Sequence, residues 1–292
     1  MKNLKNLAHA ADLSALKVLF FDIDDTFSGG FFSGQKTHQI TASAYAALWR
    51  LKEVGVYAVP VTGRPAGWCD MITRMWPVDS VVGENGAFYL YQDKNNILKK
   101  VYIENDIEIL QNQKRIKKLK KQIEKQFTPV QFASDQAFRE FDLAVDYNED
   151  VKPWTSHKVD ELIHFCRSRG AQAKLSSIHV NIWFGSYDKM TCVQRVLKDR
   201  FKISSAKQKT LIAYVGDSPN DEPFFKDVSL SFGVANVKKY FDVLAFKPKY
   251  VLQKECGLGF EELVNKIVLH KRRQLSHGRD SIADRSNKSR NT

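Results

Sequence analysis

The first 86 residues alternate between short apolar runs and longer segments in which apolar residues recur at helical spacing. The apolar runs occupy residues 17–21, 56–61 and 78–82, and the amphipathic segments occupy residues 41–53 and 66–76. Uninterrupted apolar runs of this length are typical of strands that are buried on both faces of a parallel sheet. The pattern therefore predicts an α/β fold with a Rossmann-like, doubly wound parallel sheet.

This alternation is lost in the middle of the chain. Strand-like segments are expected at residues 87–91, 98–103, 141–147 and 178–184, with helices at 106–127 and 155–168. Such a mixture predicts an inserted α+β unit over residues 87–185. The earlier alternation then resumes with a helix at 187–201, a strand at 210–215, strand-like runs at 230–234 and 250–252, and a closing helix at 259–270. Residues 1–86 and 186–270 are therefore expected to form one core.

The end of the chain has a different composition. Residues 271–292 carry seven Lys or Arg against two Asp, and they are rich in Ser and Asn. A segment this polar buries too little apolar surface to fold by itself, so it is predicted to be a basic, disordered tail. The protein is 43% hydrophobic overall, which is enough for a core in the rest of the chain.

The net charge of +12 favours anionic partners, which include nucleic acid, anionic membranes and phosphorylated small molecules. Seven of the basic residues lie between Lys114 and Lys125, and Ile and Leu occur among them at helical spacing. This arrangement favours a solvated helix face. A nucleic-acid surface usually interleaves aromatic residues or follows a known motif. Nucleic acid is therefore disfavoured as a partner.

The spacing of the cysteines and histidines argues against a zinc site and a disulfide framework. The four cysteines are far apart, and the seven histidines show no HExxH pattern. A reduced, cytoplasmic setting is therefore expected. The first 16 residues have no continuous apolar stretch, and no run of 18 apolar residues occurs in the sequence. Neither a signal peptide nor a membrane span is predicted.

Polar residues follow three of the predicted parallel strands. Asp22 and Asp24 come after the first strand, Thr62 after the second, and Asp217 and Asp221 after the strand at 210–215. Because the carboxyl ends of parallel strands share one edge of the sheet, these side chains are expected to meet there. A lone lysine, Lys189, precedes Asp217 by 28 residues, which leaves room for one helix and the returning strand.

This set of side chains suits phosphoryl transfer. A carboxylate that attacks a phosphate dianion needs a divalent cation and fixed donors to offset the repulsion. Asp22 and Asp217 are hard oxygen ligands of the kind that Mg²⁺ prefers, and Asp221 and Asn220 are candidates to support them. Asp24 lies two residues beyond Asp22. It could protonate the leaving alkoxide and then deprotonate the water that cleaves the aspartyl phosphate.

Two further side chains are candidates for binding the phosphate. Thr62 offers a hydroxyl donor to the phosphoryl oxygens, although it could instead cap the helix that follows it. Lys189 offers a positive charge and could also restrain the nucleophile. For Asp22 and Asp24, the simpler interpretation as a turn or helix-cap pair loses weight once Asp217 and Lys189 are considered with them.

The motifs Asp22–Thr26 (DIDDT), Val61–Arg64 (VTGR) and Gly216–Asp221 (GDSPND), with Lys189 between the last two, resemble the haloacid dehalogenase-like phosphohydrolases in order and spacing. The insertion lies where the second class of cap domain, C2, occurs in that superfamily. The sequence GENGA at Gly83–Ala87 is similar to the Cof-like, type IIB branch. That branch contains sugar-phosphate phosphatases and phosphomannomutases. The resemblance covers about residues 17–270.

The resemblance implies roles for individual residues. Asp22 would be the nucleophile and a Mg²⁺ ligand, and Asp24 would be the general acid/base that binds the metal through its backbone carbonyl. Asp217 would be a metal ligand that Asp221 supports. Thr62, Gly63 and Lys189 would bind phosphate. The implied substrate is a small phosphorylated metabolite, such as a sugar phosphate, and the implied cofactor is Mg²⁺.

Two questions stay open at this level. Hydrolysis and phosphomutase-type transfer use the same aspartyl phosphate, so the motifs do not separate them. The sequence also makes no prediction of oligomeric state. One position departs from the family pattern, because Asp25 stands where the family commonly has glycine. Its side chain is expected to point away from the site or into a salt bridge.

The remaining candidates each have an alternative interpretation. Arg64 is a candidate site residue or a structural ion-pair partner. Asn85, with its neighbour Glu84, is a candidate substrate contact or part of a hinge. His179 and Asn181 alternate along a predicted strand, so they would face the substrate together or form a solvated strand face.

Overall fold

The computed structural model describes residues 2–3, 13–32, 35–176 and 178–288. The strands are β1 (Lys2–Asn3), β2 (Val18–Phe21), β3 (Gly30–Phe32), β4 (Gln35–Thr37), β5 (Tyr57–Pro60), β6 (Val81–Gly83), β7 (Phe88–Gln92), β8 (Leu98–Tyr102), β9 (Gln131–Phe132), β10 (Leu143–Asp146), β11 (Gln172–Leu175), β12 (His179–Trp183), β13 (Ile212–Gly216), β14 (Leu230–Gly233) and β15 (Tyr250–Val251). The α-helices are α1 (Ala42–Glu53), α2 (Ala66–Met75), α3 (Asp106–Gln126), α4 (Ser156–Arg167), α5 (Lys189–Asp199), α6 (Gln208–Leu211), α7 (Glu222–Asp227) and α8 (Cys256–Lys288).

A parallel sheet forms the centre of the fold, with strand order β1-β15-β14-β13-β2-β5. Every neighbouring pair in it is parallel, and β2 lies between β5 and β13. This arrangement confirms the predicted α/β fold. It also places the ends of β2, β5 and β13 side by side, as the sequence predicted.

Helices cover both faces of this sheet because successive side chains of its strands point in opposite directions. Phe21 belongs to the cluster that includes Leu48 of α1 and Phe260 of α8. Its neighbour Phe20 belongs to a second cluster with Val193 of α5 and Phe224 of α7. Each strand residue is therefore buried, which explains the uninterrupted apolar runs.

The rest of the chain forms smaller antiparallel sheets. Strands β6, β7 and β8 form one sheet, and a parallel bridge between Val61 and Val82 brings it beside β5. Strands β3 and β4 form a hairpin.

A four-stranded antiparallel sheet has the order β11-β12-β10-β9 and forms its own apolar cluster with helices α3 and α4. The basic residues of α3 are mostly exposed, in keeping with a solvated helix face. An α+β unit is thus present within the predicted insertion, while the boundaries proposed at residues 87 and 185 stay predictions.

The closing helix is longer than the predicted span of 259–270. Helix α8 begins at Cys256 and continues through Lys288, so its backbone is helical where a disordered tail was expected. The predicted start at residue 259 lies three residues after the observed one. A Cβ at Gly257 would lie 2.9 Å from the Phe27 carbonyl oxygen, so this glycine allows a close approach of helix and turn. Of the helices in the described part of the chain, none combines the length and apolarity needed to cross a membrane.

Phe260 joins α8 to the central sheet, and its loss should be costly. Its ring is fully buried and lies 5.0 Å from the ring centroids of both Phe21 and Phe27. We expect Phe260→Ala to lower the free energy of unfolding by about 3–5 kcal/mol because it leaves a cavity. Urea unfolding would measure this. Leu269→Ala on the same helix is the control, since Leu269 is 48% exposed and should change stability by about 0.5 kcal/mol or less. Equal losses in the two variants would contradict this packing role.

Candidate active site

The ends of β2 and β13 deliver two carboxylates to one place. Asp22 directly follows β2, and its backbone N–H donates to the Val215 carbonyl of β13 at 3.0 Å. Asp217 directly follows β13. Both side chains are buried. The parallel pairing of the strands therefore brings together residues that are far apart in the sequence.

Asp22, Asp217 and Asp221 form a cluster of buried carboxylates with oxygen atoms within 4.8 Å of one another. Lys189 reaches this cluster from the first residue of α5, and its Nζ lies 2.8 Å from Asp22 Oδ1 and 3.5 Å from Asp221 Oδ1. The helix start is fixed by Asp188, whose carboxylate accepts from the Thr191 N–H at 2.7 Å. A capped helix end thus holds the lysine against the predicted nucleophile.

The contacts of Asp221 show how it supports the cluster. Its Oδ1 accepts from the Tyr214 hydroxyl at 2.5 Å, and its Oδ2 accepts from the backbone N–H groups of Asp217 and Ser218 at 2.9 and 3.1 Å. These bonds fold the loop after β13 around one carboxylate. Asp221 is therefore better placed to orient Asp217 than to act as a free ligand.

Asp217 has two partners that sequence reasoning missed. The Thr26 hydroxyl lies 3.3 Å from Asp217 Oδ1, and the Asn236 side-chain amide donates to Asp217 Oδ2 at 3.2 Å. Asn236 also donates to the Asp25 carbonyl at 2.9 Å. Thr26 belongs to the motif that begins at Asp22, so its proximity could have been inferred. No local pattern marks Asn236, which follows a different strand.

Burial makes the ionised carboxylates costly. It raises the pKa of Asp22 to about 7, although the positive charge of Lys189 opposes the shift. Burial, together with the charges of Asp221 and Asp22, raises the pKa of Asp217 well above its usual range. Burial also disfavours the charged form of Lys189, but the charges of Asp22 and Asp221 outweigh this and raise its pKa.

A divalent cation fits this arrangement. Hard carboxylate oxygens converge on one point, and one lysine faces more negative charge than it can balance. Mg²⁺ is bound through such oxygens, usually with several waters retained. Asp22 and Asp217 could hold it directly.

Asp24 lies apart from this carboxylate cluster. Its Oδ1 is 2.7 Å from Arg64 Nη2, and both of its oxygens are 3.1 Å from Arg64 Nε. The carboxylate is about one-fifth exposed, so it borders the cavity above Asp22. A role for its backbone carbonyl as a metal ligand stays a prediction.

Arg64 forms ion pairs, which agrees with its interpretation as a structural ion-pair partner. Besides Asp24, its guanidinium is approached by Glu149 at 3.5 Å and by Asp135 at 3.6 Å, and it lies over the ring of Trp68. Glu149 and Asp135 belong to the inserted part of the chain. One buried cation is thus shared between the two sides of the site.

Thr62 and Gly63 form the loop after β5. Helix α2 begins after Pro65, and the Thr62 hydroxyl accepts from the Arg64 N–H at 3.0 Å instead of capping that helix. A Cβ at Gly63 would lie 3.1–3.3 Å from the side-chain amides of Asn85 and Asn181. The absence of a side chain at Gly63 therefore lets two amides approach the loop closely.

A cavity of about 20 Å³ lies above the carboxylates. It has room for about one water. The residues that line it are Asp22, Asp24, Gly63, Arg64, Arg139, Ser176, Ile178, His179, Asn181, Asp217, Ser218 and Asn220.

His179 and Asn181 both face this cavity from β12. Each side chain is buried, so the alternative of a solvated strand face is wrong. His179 Nε2 lies 2.9 Å from Glu149 Oε2. Their shared orientation follows from the two-residue period of the strand.

The other candidates lie in different positions. Asn220 lines the cavity, whereas Asn85 donates to Asp142 at 3.1 Å and lies outside the cavity lining. Asp25 has a positive φ of 53° and a buried side chain, and its Oδ1 lies 3.9 Å from His38 Nδ1.

The comparisons with known proteins agree with this geometry. A family model described as haloacid dehalogenase-like hydrolase matches residues 19–138, which include Asp22, Asp24 and Thr62. Residues 19–138 are thus similar to the haloacid dehalogenase-like hydrolases. This match agrees with the resemblance that the motifs predicted. A comparison with curated proteins finds none that matches this chain significantly.

Several solved structures share the fold of this chain. Thermoplasma acidophilum 0175 has a TM-score of 0.63 at 17% identity and covers 86% of this chain and 98% of its own. A subclass IIB sugar phosphatase has a TM-score of 0.56 at 16% identity, with 81% and 93% covered. The sucrose-phosphatase of Synechocystis sp. PCC6803, solved with sucrose and phosphate, has a TM-score of 0.60 at 14% identity, with 86% and 97% covered. The TM-scores show a common fold, and at identities this low the likeness extends to the fold alone.

Mg²⁺ should stabilise this protein more at pH 8 than at pH 5. The pKa of Asp22 is raised from 3.8 to about 7, so the stability that protonated Asp22 contributes is lost as pH rises through this interval. A cation would offset that loss at high pH, whereas protons compete with it at low pH. Thermal melts with Mg²⁺ and with EDTA at both pH values would measure the difference.

Asp217→Asn should abolish most of the Mg²⁺-induced rise in melting temperature. Asp79→Asn is the matched control, because Asp79 accepts from the Ala58 N–H at 2.9 Å and lies outside the cluster. It should keep the rise. A rise that is independent of pH, or one that persists in Asp217→Asn, would contradict the assigned cation site.

Proposed function

We propose that this hydrolase is a Mg²⁺-dependent phosphatase that cleaves a phosphate monoester through an aspartyl phosphate on Asp22. The contact between Lys189 and Asp22, within a cluster of buried carboxylates, carries this proposal. The lysine orients the attacking oxygen and offsets part of its charge. The match of residues 19–138 to the haloacid dehalogenase-like hydrolases does not depend on this mechanism.

The reaction would proceed in two displacements at phosphorus. An Asp22 oxygen forms a bond to the phosphorus while the bond from phosphorus to the ester oxygen breaks. Asp24 donates a proton to the departing oxygen and then accepts a proton from the water that cleaves the aspartyl phosphate. For this role, the contact between Asp24 and Arg64 must loosen, because both carboxylate oxygens now face the guanidinium.

Fixed hydrogen-bond donors and one cation would hold the transferring phosphoryl group. The Lys189 ammonium contacts Asp22, and Gly63 borders the same cavity. The Thr62 hydroxyl, in the loop after β5, would supply a further donor. A bound Mg²⁺, held by Asp22, Asp217 and the carbonyl of Asp24, would neutralise phosphoryl charge. Asp221 and Asn220 would support this set.

The substrate is proposed to be a small phosphorylated metabolite, such as a sugar phosphate. The polar side chains of Arg139, His179 and Asn181 cover the site and could contact hydroxyl groups of the leaving group. Two of the structural neighbours are described as sugar phosphatases, one of them with sucrose and phosphate bound. The cavity is too small for such a ligand, so binding would require the inserted unit to open and close again.

The alternative is a phosphotransferase in which a sugar hydroxyl replaces water. The enclosed cavity favours neither outcome, because both reactions need water excluded during the first step. A single-turnover experiment separates them. A phosphatase releases inorganic phosphate stoichiometrically, whereas a mutase returns the phosphoryl group to a second sugar oxygen.

Asp22→Asn should abolish phosphate release from p-nitrophenyl phosphate with Mg²⁺. The amide is a poor nucleophile and a weaker cation ligand, so we expect a loss of at least about 10³-fold in kcat. Asp199→Asn is the control, since Asp199 forms a surface pair with Arg195 and should keep full activity. Near-full activity of Asp22→Asn would disprove the mechanism.

Asp24→Asn should affect the two displacements differently according to the leaving group. p-Nitrophenolate departs without a proton, so the variant should release a rapid stoichiometric burst of it and then stall as aspartyl phosphate. A sugar phosphate needs the proton and should show no burst. Rapid-quench kinetics would measure both substrates. Equal slowing of the first turnover for both would contradict the assignment of Asp24 as general acid.

A further inference from the structure

The turn that follows β6 has an unusual backbone. Glu84 and Asn85 are consecutive non-glycine residues with positive φ values of 42° and 56°. Side chains disfavour this left-handed region, so such a pair persists where the surrounding structure holds it. The turn, residues 83–86, is fully described and buried.

One side of the turn binds the loop that carries Thr62. The Glu84 N–H donates to the Arg64 carbonyl at 3.2 Å, and the Asn85 N–H donates to the Thr62 carbonyl at 3.1 Å. The Glu84 carboxylate also accepts from the Ala66 N–H at 2.9 Å, at the start of α2. The turn thus fixes both ends of the Thr62–Arg64 loop.

The same carboxylate binds the inserted part of the chain. It accepts from the backbone N–H groups of Glu140, Phe141 and Asp142 at 2.6–3.1 Å. The adjacent Arg139 then donates to the Gly63 carbonyl at 2.9 Å and lines the cavity. The segment 139–142 therefore reaches the phosphate-binding loop by two routes, through Glu84 and through Arg139.

The end of the turn lies against the helix that carries Lys189. Gly86 has a φ of 103°, and a Cβ there would lie 2.1 Å from the Asp188 carbonyl oxygen and 2.8 Å from the Lys189 nitrogen. The turn therefore touches three parts of the site: the loop at 62–64, the segment 139–142 and the start of α5.

We propose that Glu84 is a positioning residue that couples the placement of segment 139–142 to that of the Thr62–Arg64 loop. Its carboxylate lies outside the cavity lining, so it acts through these neighbours and not on the substrate. The coupling concerns the same site as the proposed phosphatase and, for its kinetic consequence, rests on that function. Its structural consequence can be tested without any activity.

Replacing Glu84 by glutamine keeps the shape but changes one acceptor into a donor. Both carboxylate oxygens now accept from backbone N–H groups, so at least one of these buried donors would lose its partner. The Ala66 N–H is bonded to Oε1 and the Phe141 and Asp142 N–H groups are bonded to Oε2. The hydrogen bonds that remain in the variant also lose the charge of the carboxylate, so the start of α2 and segment 139–142 should both be held more weakly.

Hydrogen exchange tests the contact directly. In Glu84→Gln, the amides of residues 140–142 should exchange at least about tenfold faster, whereas those of β13 should be unchanged. Asp79→Asn is the matched control, since it alters a carboxylate that accepts from one backbone N–H, that of Ala58. It should leave residues 140–142 protected. Unchanged protection in Glu84→Gln would overturn the proposal. If this variant does not fold, Glu84→Asp, which keeps the charge, replaces it with the same criterion.

Kinetics with p-nitrophenyl phosphate and Mg²⁺ test the consequence for the site. Glu84→Gln should lower kcat about 10- to 100-fold with KM changed less than about threefold, because misplacement of the loop affects the transition state most. Asp79→Asn should keep kcat. In the background of Arg139→Met, the Glu84→Gln loss should shrink to about twofold, since part of the coupling is already removed. If the losses of kcat in the two single variants simply multiply in the double variant, the proposed coupling is overturned. If the wild type releases no phosphate, the proposed function fails, and hydrogen exchange alone decides on Glu84.

Discussion

The structure depends on one electrostatic constraint, the burial of three carboxylates at the edge of a parallel sheet. Removing an ion from water costs several kcal/mol even after the protein relaxes. Lys189 offsets part of this cost through contacts of 2.8 Å with Asp22 and 3.5 Å with Asp221. Backbone N–H groups and the Tyr214 hydroxyl hold Asp221. The remaining negative charge is what a divalent cation would balance.

The central sheet makes this burial possible because its strands are covered on both faces. Phe20 and Phe21 of β2 point into opposite apolar clusters. Strand β2 is therefore packed on both faces up to the residue that precedes Asp22. A site on rigid strand ends holds its geometry better than one on loops alone. The opposite side of the cavity is different, since most of its side chains are polar or charged and come from residues 139–181. The strand ends and this polar surface thus belong to different parts of the chain.

The sequence predicted the side of the site that lies on strands and missed much of the side that lies between units. Asp22 and Asp217 follow apolar runs, so their meeting could be inferred from the parallel sheet alone. Asn236, Glu149 and Arg139 meet the site through tertiary contacts that leave no periodic pattern. The length of α8 was missed for a related reason, because polar composition predicted disorder where the backbone is helical.

Arg64 shows why substrate, cation and closure are expected to be linked. Its guanidinium is shared by Asp24 from the core and by Glu149 and Asp135 from the inserted part of the chain, which places two further carboxylates near the site. A phosphate dianion would add negative charge to a region in which carboxylates already outnumber cations. A bound phosphate would therefore raise the affinity for a cation, and by reciprocity the cation would raise the affinity for phosphate. The excess of carboxylates, which is costly in isolation, would couple the two binding events.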